Sequence, residues 1–161
     1  MISKDNKLIL NGVLIFSILA LSIAYFIQYV LGHKPCNLCL IERIPYIGSI
    51  ILISFIFIVN RFEKIISIII LLFFIFAAIV SFYHFGIEQG FFSESLVCDL
   101  GNNVNLSKEQ LLKQLQNSSI VSCKDVTFRV LGFSLATINT IISIILSVIM
   151  IKIIKNYDQN K

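Results

Sequence analysis

Two cysteines, Cys36 and Cys39, stand in the stretch Pro35-Cys36-Asn37-Leu38-Cys39, where one long apolar run ends and the next begins. Two more, Cys98 and Cys123, lie in the only long polar segment of the chain. A CxxC spacing lets two sulfurs meet, and is the commonest construction for a disulfide that opens and closes in turnover. Two cysteine pairs beside hydrocarbon point to thiol chemistry coupled to something lipid-soluble. Arg43 follows Cys39 by four residues, one helical turn along the same face. A helix starting near Pro35 adds partial positive charge from its unpaired N–H groups. Cys39 is therefore expected to feel both a helix start and a permanent cation, the conditions that stabilise a reactive thiolate.

Cys98 and Cys123 have different neighbours. Asp99 follows Cys98, and Lys124 and Asp125 follow Cys123, so neither is strongly activated by its local sequence. As a pair they would close a long loop, either as a structural staple or as a relay disulfide opened by a partner's thiolate. The CxxC pair has quieter readings too: a structural disulfide, or half of a zinc site. A zinc site would want Cys98 and Cys123 at a second close spacing, which they lack, so no metal is assigned.

The elements that must position these residues are read from composition. The chain has 161 residues, 57% of them hydrophobic, with a mean hydropathy of +0.91. That is too apolar for a soluble domain of this length. Spans are expected at about 8–31, 42–59, 65–85 and 130–151. The second is long enough only if its helix continues back through Glu42 and Arg43, with their side chains reaching the interface. The first is too long for a cleaved signal peptide and lacks a small-residue cleavage pattern. The whole chain, 1–161, reads as a single membrane domain. The modest net charge of +4 does not suggest nucleic acid.

Four spans put both termini on one side, together with the turn Asn60-Arg61-Phe62-Glu63-Lys64. That side carries seven basic residues and the other six. The seven hug the membrane in short segments, where basic residues set orientation most strongly, so the termini are assigned inside. All four cysteines then face the outer, oxidising compartment of a bacterium. In the long outer loop, Ser107 and Gln110 make a capping-box pattern ahead of Leu111, Leu112 and Leu115. A short amphipathic helix is expected there, on the bilayer surface or packed on the spans. Phe82, Tyr83, Phe85, Phe91 and Phe92 read as an interfacial aromatic belt.

The chain resembles the DsbB family of bacterial inner-membrane disulfide-forming oxidases. The residues that carry the likeness are Pro35-Cys36-x-x-Cys39-x-x-Glu42-Arg43, Tyr83-His84-x-Gly86, Cys98, Cys123, and Phe128-x-x-Leu131-Gly132 before the last span. Order and spacing match from end to end. Phe128 replaces the usual Trp, and the loop helix matches poorly in detail. The resemblance implies an all-α membrane protein: a four-transmembrane-helix bundle with two periplasmic loops, the second long with a short amphipathic helix. It also implies a DsbA-like thioredoxin-fold partner and a quinone acceptor, ubiquinone or menaquinone, drawn from the membrane pool. The partner's thiolate would attack Cys98 and free Cys123. Cys123 would attack Cys36, and Cys39 would pass electrons to quinone with Arg43 on a quinone carbonyl. His84 would be a second quinone contact, or only an interfacial residue. Two other readings stand beside this one: a membrane protein with two structural disulfides, and a reductase resembling vitamin K epoxide reductase. In the latter family the CxxC follows the loop pair, whereas here it precedes it.

Overall fold

Hydrocarbon offers no hydrogen-bond partners, so an apolar run must satisfy its backbone within itself, and a helix does this in one segment. A computed structural model describes residues 4–59, 62–93, 123–124, 129–130 and 132–159. Helix α1 is Lys4–Tyr29, α2 Asn37–Ile41, α3 Ile44–Val59, α4 Glu63–Glu88 and α5 Leu135–Gln159. Among the described residues four segments are long and apolar enough to cross a membrane: Asn6–Tyr29, Asn37–Val59, Glu63–Glu88 and Leu135–Tyr157. The protein is a multi-pass, four-helix membrane bundle, as its sequence leads one to expect. The expected loop helix around Ser107–Leu115 lies outside the described residues, as does Cys98.

The second span does reach back beyond Arg43, but it breaks there, and Pro45 is the cause. Proline has no N–H for the Ile41 carbonyl, and its ring crowds that carbonyl. The chain turns instead: Glu42 N–H donates to Leu38 C=O at 2.9 Å and Arg43 N–H to Leu40 C=O at 3.2 Å. Helix α3 then starts with Pro45 in its first turn, where a missing N–H is harmless. The short α2 that carries the CxxC is thereby set off from the span below it.

The last helix starts at Leu135, later than the apolar run that begins at Val130. Arg129–Val130 and Phe133–Ser134 form a small antiparallel ladder, with Arg129 opposite Ser134 and Val130 opposite Phe133. Gly132 turns it at φ +88°, a conformation that side chains rarely tolerate. Ser134 Oγ then accepts the Thr137 N–H at 3.2 Å and caps α5.

Helix α4 ends in a Schellman motif. Phe91 N–H donates to Gly86 C=O at 2.8 Å and Gly90 N–H to Ile87 C=O at 3.0 Å, with Gly90 at φ +77°. The fold-back lays Phe92 on Tyr83, ring centroids 5.6 Å apart. A Cβ on Gly86 would run into the Phe92 ring, so this packing of Phe92 depends on glycine there.

Helix α4 is the hub, packed most extensively on α5 and next on α3, while α1 leans on α3. Leu10, Ile53, Ile56, Ile70, Phe74 and Met150 form the centre of the main core. Ser17 Oγ and Ser49 Oγ lie 3.3 Å apart between α1 and α3, where small residues let two backbones approach. A second, smaller cluster sits at the CxxC end: Cys36, Leu38, Ile87 and Cys123, with Cys39, Ile41, Val80 and Tyr83 against it.

Candidate active site

Cys36 is the N-cap of α2, and its Sγ accepts the Cys39 N–H at 3.4 Å. The Cys36 and Cys39 sulfurs lie 3.1 Å apart, and both thiols are free. Helix α4 brings His84 against them, with Nε2 3.5 Å from Cys36 Sγ. The other ring nitrogen, Nδ1, is 2.8 Å from Glu42 Oε1. Glu42 Oε2 accepts a hydrogen bond from Asn139 Nδ2 at 2.7 Å, and Asn139 Oδ1 accepts one from the Tyr46 hydroxyl at 2.6 Å. A continuous polar chain, Tyr46–Asn139–Glu42–His84–Cys36, therefore ties α3, α5, the α2–α3 turn and α4 to one sulfur.

The chemistry of this arrangement follows from its order. A sulfur, an imidazole and a carboxylate in line reproduce the nucleophile, base and orienting group of an activated cysteine. Glu42 opposite Nδ1 fixes the ring with Nε2 facing the Cys36 sulfur. The Cys36 thiol is pulled from 9.0 down to about 4. The hydrogen bond from Cys39 is the largest cause; burial opposes it; the hydrogen bond and charge of His84 and the Cys39 N–H add to it. Burial of the trio strengthens these contacts: Cys36 is 6% exposed, His84 3% and Glu42 8%.

The sequence points to Cys39 as the stabilised thiolate. In the structure the stabilising contacts gather on Cys36 instead. Helix α2 has only five residues, so it brings little dipole, and Arg43 turns toward α1. Its Nη1 donates to Gln28 Oε1 at 2.6 Å, and the guanidinium lies 4.9 Å from the Tyr25 ring centroid. Cys123 is disulfide-bonded, 2% exposed, and packed in the cluster with Cys36. The fold thus gathers Cys36, Cys39, Cys123 and His84 at one end of the bundle, with Arg43 at its α1–α3 edge.

Sequence reasoning missed Glu42, Glu88, Asn139 and Tyr46. Glu42 reads as an interfacial side chain but is buried under His84. Glu88 stands one turn beyond His84, with Oε1 3.8 Å from Nε2. That spacing within an otherwise uncharged run is a usable signal, because ionisable residues in a span are seldom decorative. Asn139, a polar residue set in the last apolar run, carries the same signal.

A family model described as "Disulfide bond formation protein DsbB" matches residues 6–153. The chain belongs to the DsbB family. An "Uncharacterized protein RP370" of Rickettsia prowazekii (strain Madrid E) is 32% identical over 152 residues, 92% of this chain and 88% of that protein. No solved structure matches. Membership in the DsbB family makes the chain a disulfide-forming oxidoreductase embedded in a membrane. DsbB proteins are quinone-linked in general and generally work with DsbA-like partners.

Proposed function

We propose that this protein is a quinone-dependent thiol oxidase of a bacterial inner membrane that reoxidises a DsbA-like, thioredoxin-fold donor. Its termini are cytoplasmic and its cysteine loops periplasmic. The observation that carries the reading is the free Cys36–Cys39 pair, sulfurs 3.1 Å apart, in one buried cluster with the disulfide-bonded Cys123. Exchange is attack of a thiolate on a disulfide sulfur, so a relay requires that the two pairs meet.

The partner's thiolate attacks Cys98 of a Cys98–Cys123 disulfide and frees Cys123. Cys123 attacks Cys36 of a Cys36–Cys39 disulfide and frees Cys39. The partner's second thiol resolves the first mixed disulfide and leaves Cys98 as a thiolate. Cys98 then attacks Cys123, restores its own disulfide and releases Cys36. The partner has lost two electrons and two protons; the electrons rest on the reduced Cys36 and Cys39 sulfurs, and one of the protons stays on Cys39. His84 holds the Cys36 proton, and Glu42 steadies the charge that this places on the ring.

A membrane quinone, ubiquinone or menaquinone, supplies the acceptor for two electrons and two protons when bound. The residues present suit such a group. Arg43 carries five N–H donors, and its hydrogen bonding among the described residues engages Nη1. It is half-buried beside the Tyr25 ring, and Leu40 and Ile44 next to it are exposed on the bundle surface. A cation and a flat aromatic face at a lipid-facing edge suit a dione head with an apolar tail. Arg43 would hold a carbonyl and oppose negative charge there, as fixed cations do. His84 would offer the proton it holds.

The test is reconstitution with reduced DsbA-like partner and ubiquinone or menaquinone. One quinol should form for each partner disulfide. Arg43→Ala should raise the quinone KM and leave exchange between Cys98 and the partner intact. Lysine at this position should rescue only partly, since it lacks the planar fork of donors. Partner oxidation without quinol formation would sink the proposal.

A further inference from the structure

We propose that the reduced site binds zinc(II) through Cys36 Sγ, Cys39 Sγ and His84 Nε2, with the Glu88 carboxylate beside the imidazole as compensating charge, and that the ion halts turnover by holding the two sulfurs reduced. The three ligand atoms all lie within 4.8 Å of one another. Zinc sits about 2.3 Å from sulfur and about 2.0–2.1 Å from nitrogen, so a tetrahedral site needs S···N of about 3.5 Å and S···S of about 3.8 Å. Cys36 Sγ and His84 Nε2 are 3.5 Å apart. The two sulfurs, at 3.1 Å, need to open by only about 0.7 Å.

Two further observations point to a ligand. His84 Nδ1 faces the Glu42 carboxylate at 2.8 Å, the arrangement that turns the Nε2 lone pair of a zinc histidine toward its metal. Glu88, whose side chain is 6% exposed, has its Oε1 3.8 Å from Nε2, and its Oε2 is buried with no hydrogen-bond partner. A buried carboxylate oxygen without a donor is unfavourable, and a cation beside it relieves this. Two thiolates and an imidazole select a borderline-soft ion over magnesium or calcium, which take oxygen ligands. Cysteine spacing alone argues against zinc because it looks to Cys98 and Cys123 for the remaining ligands. The fold supplies a third ligand, His84, from α4 instead.

Binding releases the Cys39 thiol proton and the proton that His84 holds for Cys36, and leaves both sulfurs as thiolates on the metal. These sulfurs cannot pair until the ion departs, so zinc competes with oxidation. The oxidised form offers only His84, with Glu88 beside it, and should bind far more weakly.

The full chain carrying Cys98→Ser and Cys123→Ser isolates the site from the second cysteine pair. Reduced, and titrated with Zn2+, it should take up one ion and melt at a higher Tm. Cd2+ should give thiolate-to-metal charge-transfer absorption, and Co2+ the visible bands of a tetrahedral site. The same chain with Cys36 and Cys39 oxidised should show neither. Glu42→Gln, which frees the ring, should weaken binding roughly 10–100-fold, and His84→Ala and Glu88→Gln about tenfold or more. In the unmodified protein, Zn2+ should stop turnover and a chelator should restore it. Equal binding by reduced and oxidised chains, or an affinity unmoved by both His84→Ala and Glu88→Gln, overturns the site. If a variant fails to fold, the comparison of reduced with oxidised chain decides alone. None of the binding measurements needs quinone or partner, so they stand apart from the oxidase reading.

Discussion

Cys36 is the residue on which the site's electrostatics converge, and its ionisation gives the first test. Its neighbours pull the thiol from its ordinary 9.0 down to about 4 in the fold. Between those values the unfolded chain binds a proton that the folded chain does not, so stability rises with pH there. The contribution is full above about 9, declines as pH falls, and is gone below about 4. The reduced protein should therefore melt at a lower Tm at pH 5 than at pH 8, and Cys36→Ser should shrink that difference. His84→Ala and Glu42→Gln should both raise the pH at which thiolate absorbance appears. An unchanged titration in both variants would remove the His84–Glu42 pair from the account. The meeting of Cys36 and Cys39 is legible from spacing. The support of Cys36 is not, because its hydrogen bonds join residues far apart in sequence, as between Cys36 and His84. Reading Cys39 as the thiolate goes astray for the same reason: a local argument counts a helix start and Arg43, while α4 and α1 decide where the charges go.

At the scale of elements, Asn139 does for the bundle what Glu42 does for the site. It is the polar link by which α5 reaches the turn between α2 and α3, donating to Glu42 and accepting from Tyr46. Asn139→Leu would take from Glu42 Oε2 and from the Tyr46 hydroxyl the hydrogen bond each makes to Asn139, a loss of about 1–3 kcal/mol. The expected result is a lower Tm together with a raised Cys36 pKa, because the carboxylate that steadies His84 is loosened. Paired Tyr46→Phe and Asn139→Leu changes should be less than additive, since both break one network. A lower Tm with an unmoved thiolate titration would make Asn139 a packing residue only. The four spans themselves are legible from apolar length, and their ends less so. Helix α5 begins late because the ladder around Gly132 occupies the first residues of its apolar run. The break at Glu42–Arg43 follows from Pro45, which the sequence displays, yet its consequence is tertiary: it lets α2 lie against α4 independently of α3.

At the scale of the whole molecule, the way the bundle faces decides what its thiols meet. Seven basic residues against six is a thin margin, and the assignment rests on how closely the seven border the spans. The fold sharpens what is at stake. Cys36, Cys39 and Cys123 share one end of the bundle, so a single orientation fixes the compartment of them all. An outward orientation gives the oxidising surroundings in which disulfides persist, and an inward one exposes the same thiols to a reducing cytosol. Reporter cysteines at exposed positions, introduced one at a time into a chain whose native cysteines are replaced by serine, can decide it. Ser93→Cys and Lys124→Cys mark the CxxC end, and Lys7→Cys and Lys155→Cys the opposite end. In intact spheroplasts a membrane-impermeant thiol reagent should modify the first two at once, and the second two only after the membrane is opened. The reverse pattern would leave the fold and the family untouched. It would remove the periplasmic partner, because a relay facing the cytosol would meet reduced glutathione and thioredoxin rather than a disulfide donor awaiting reoxidation.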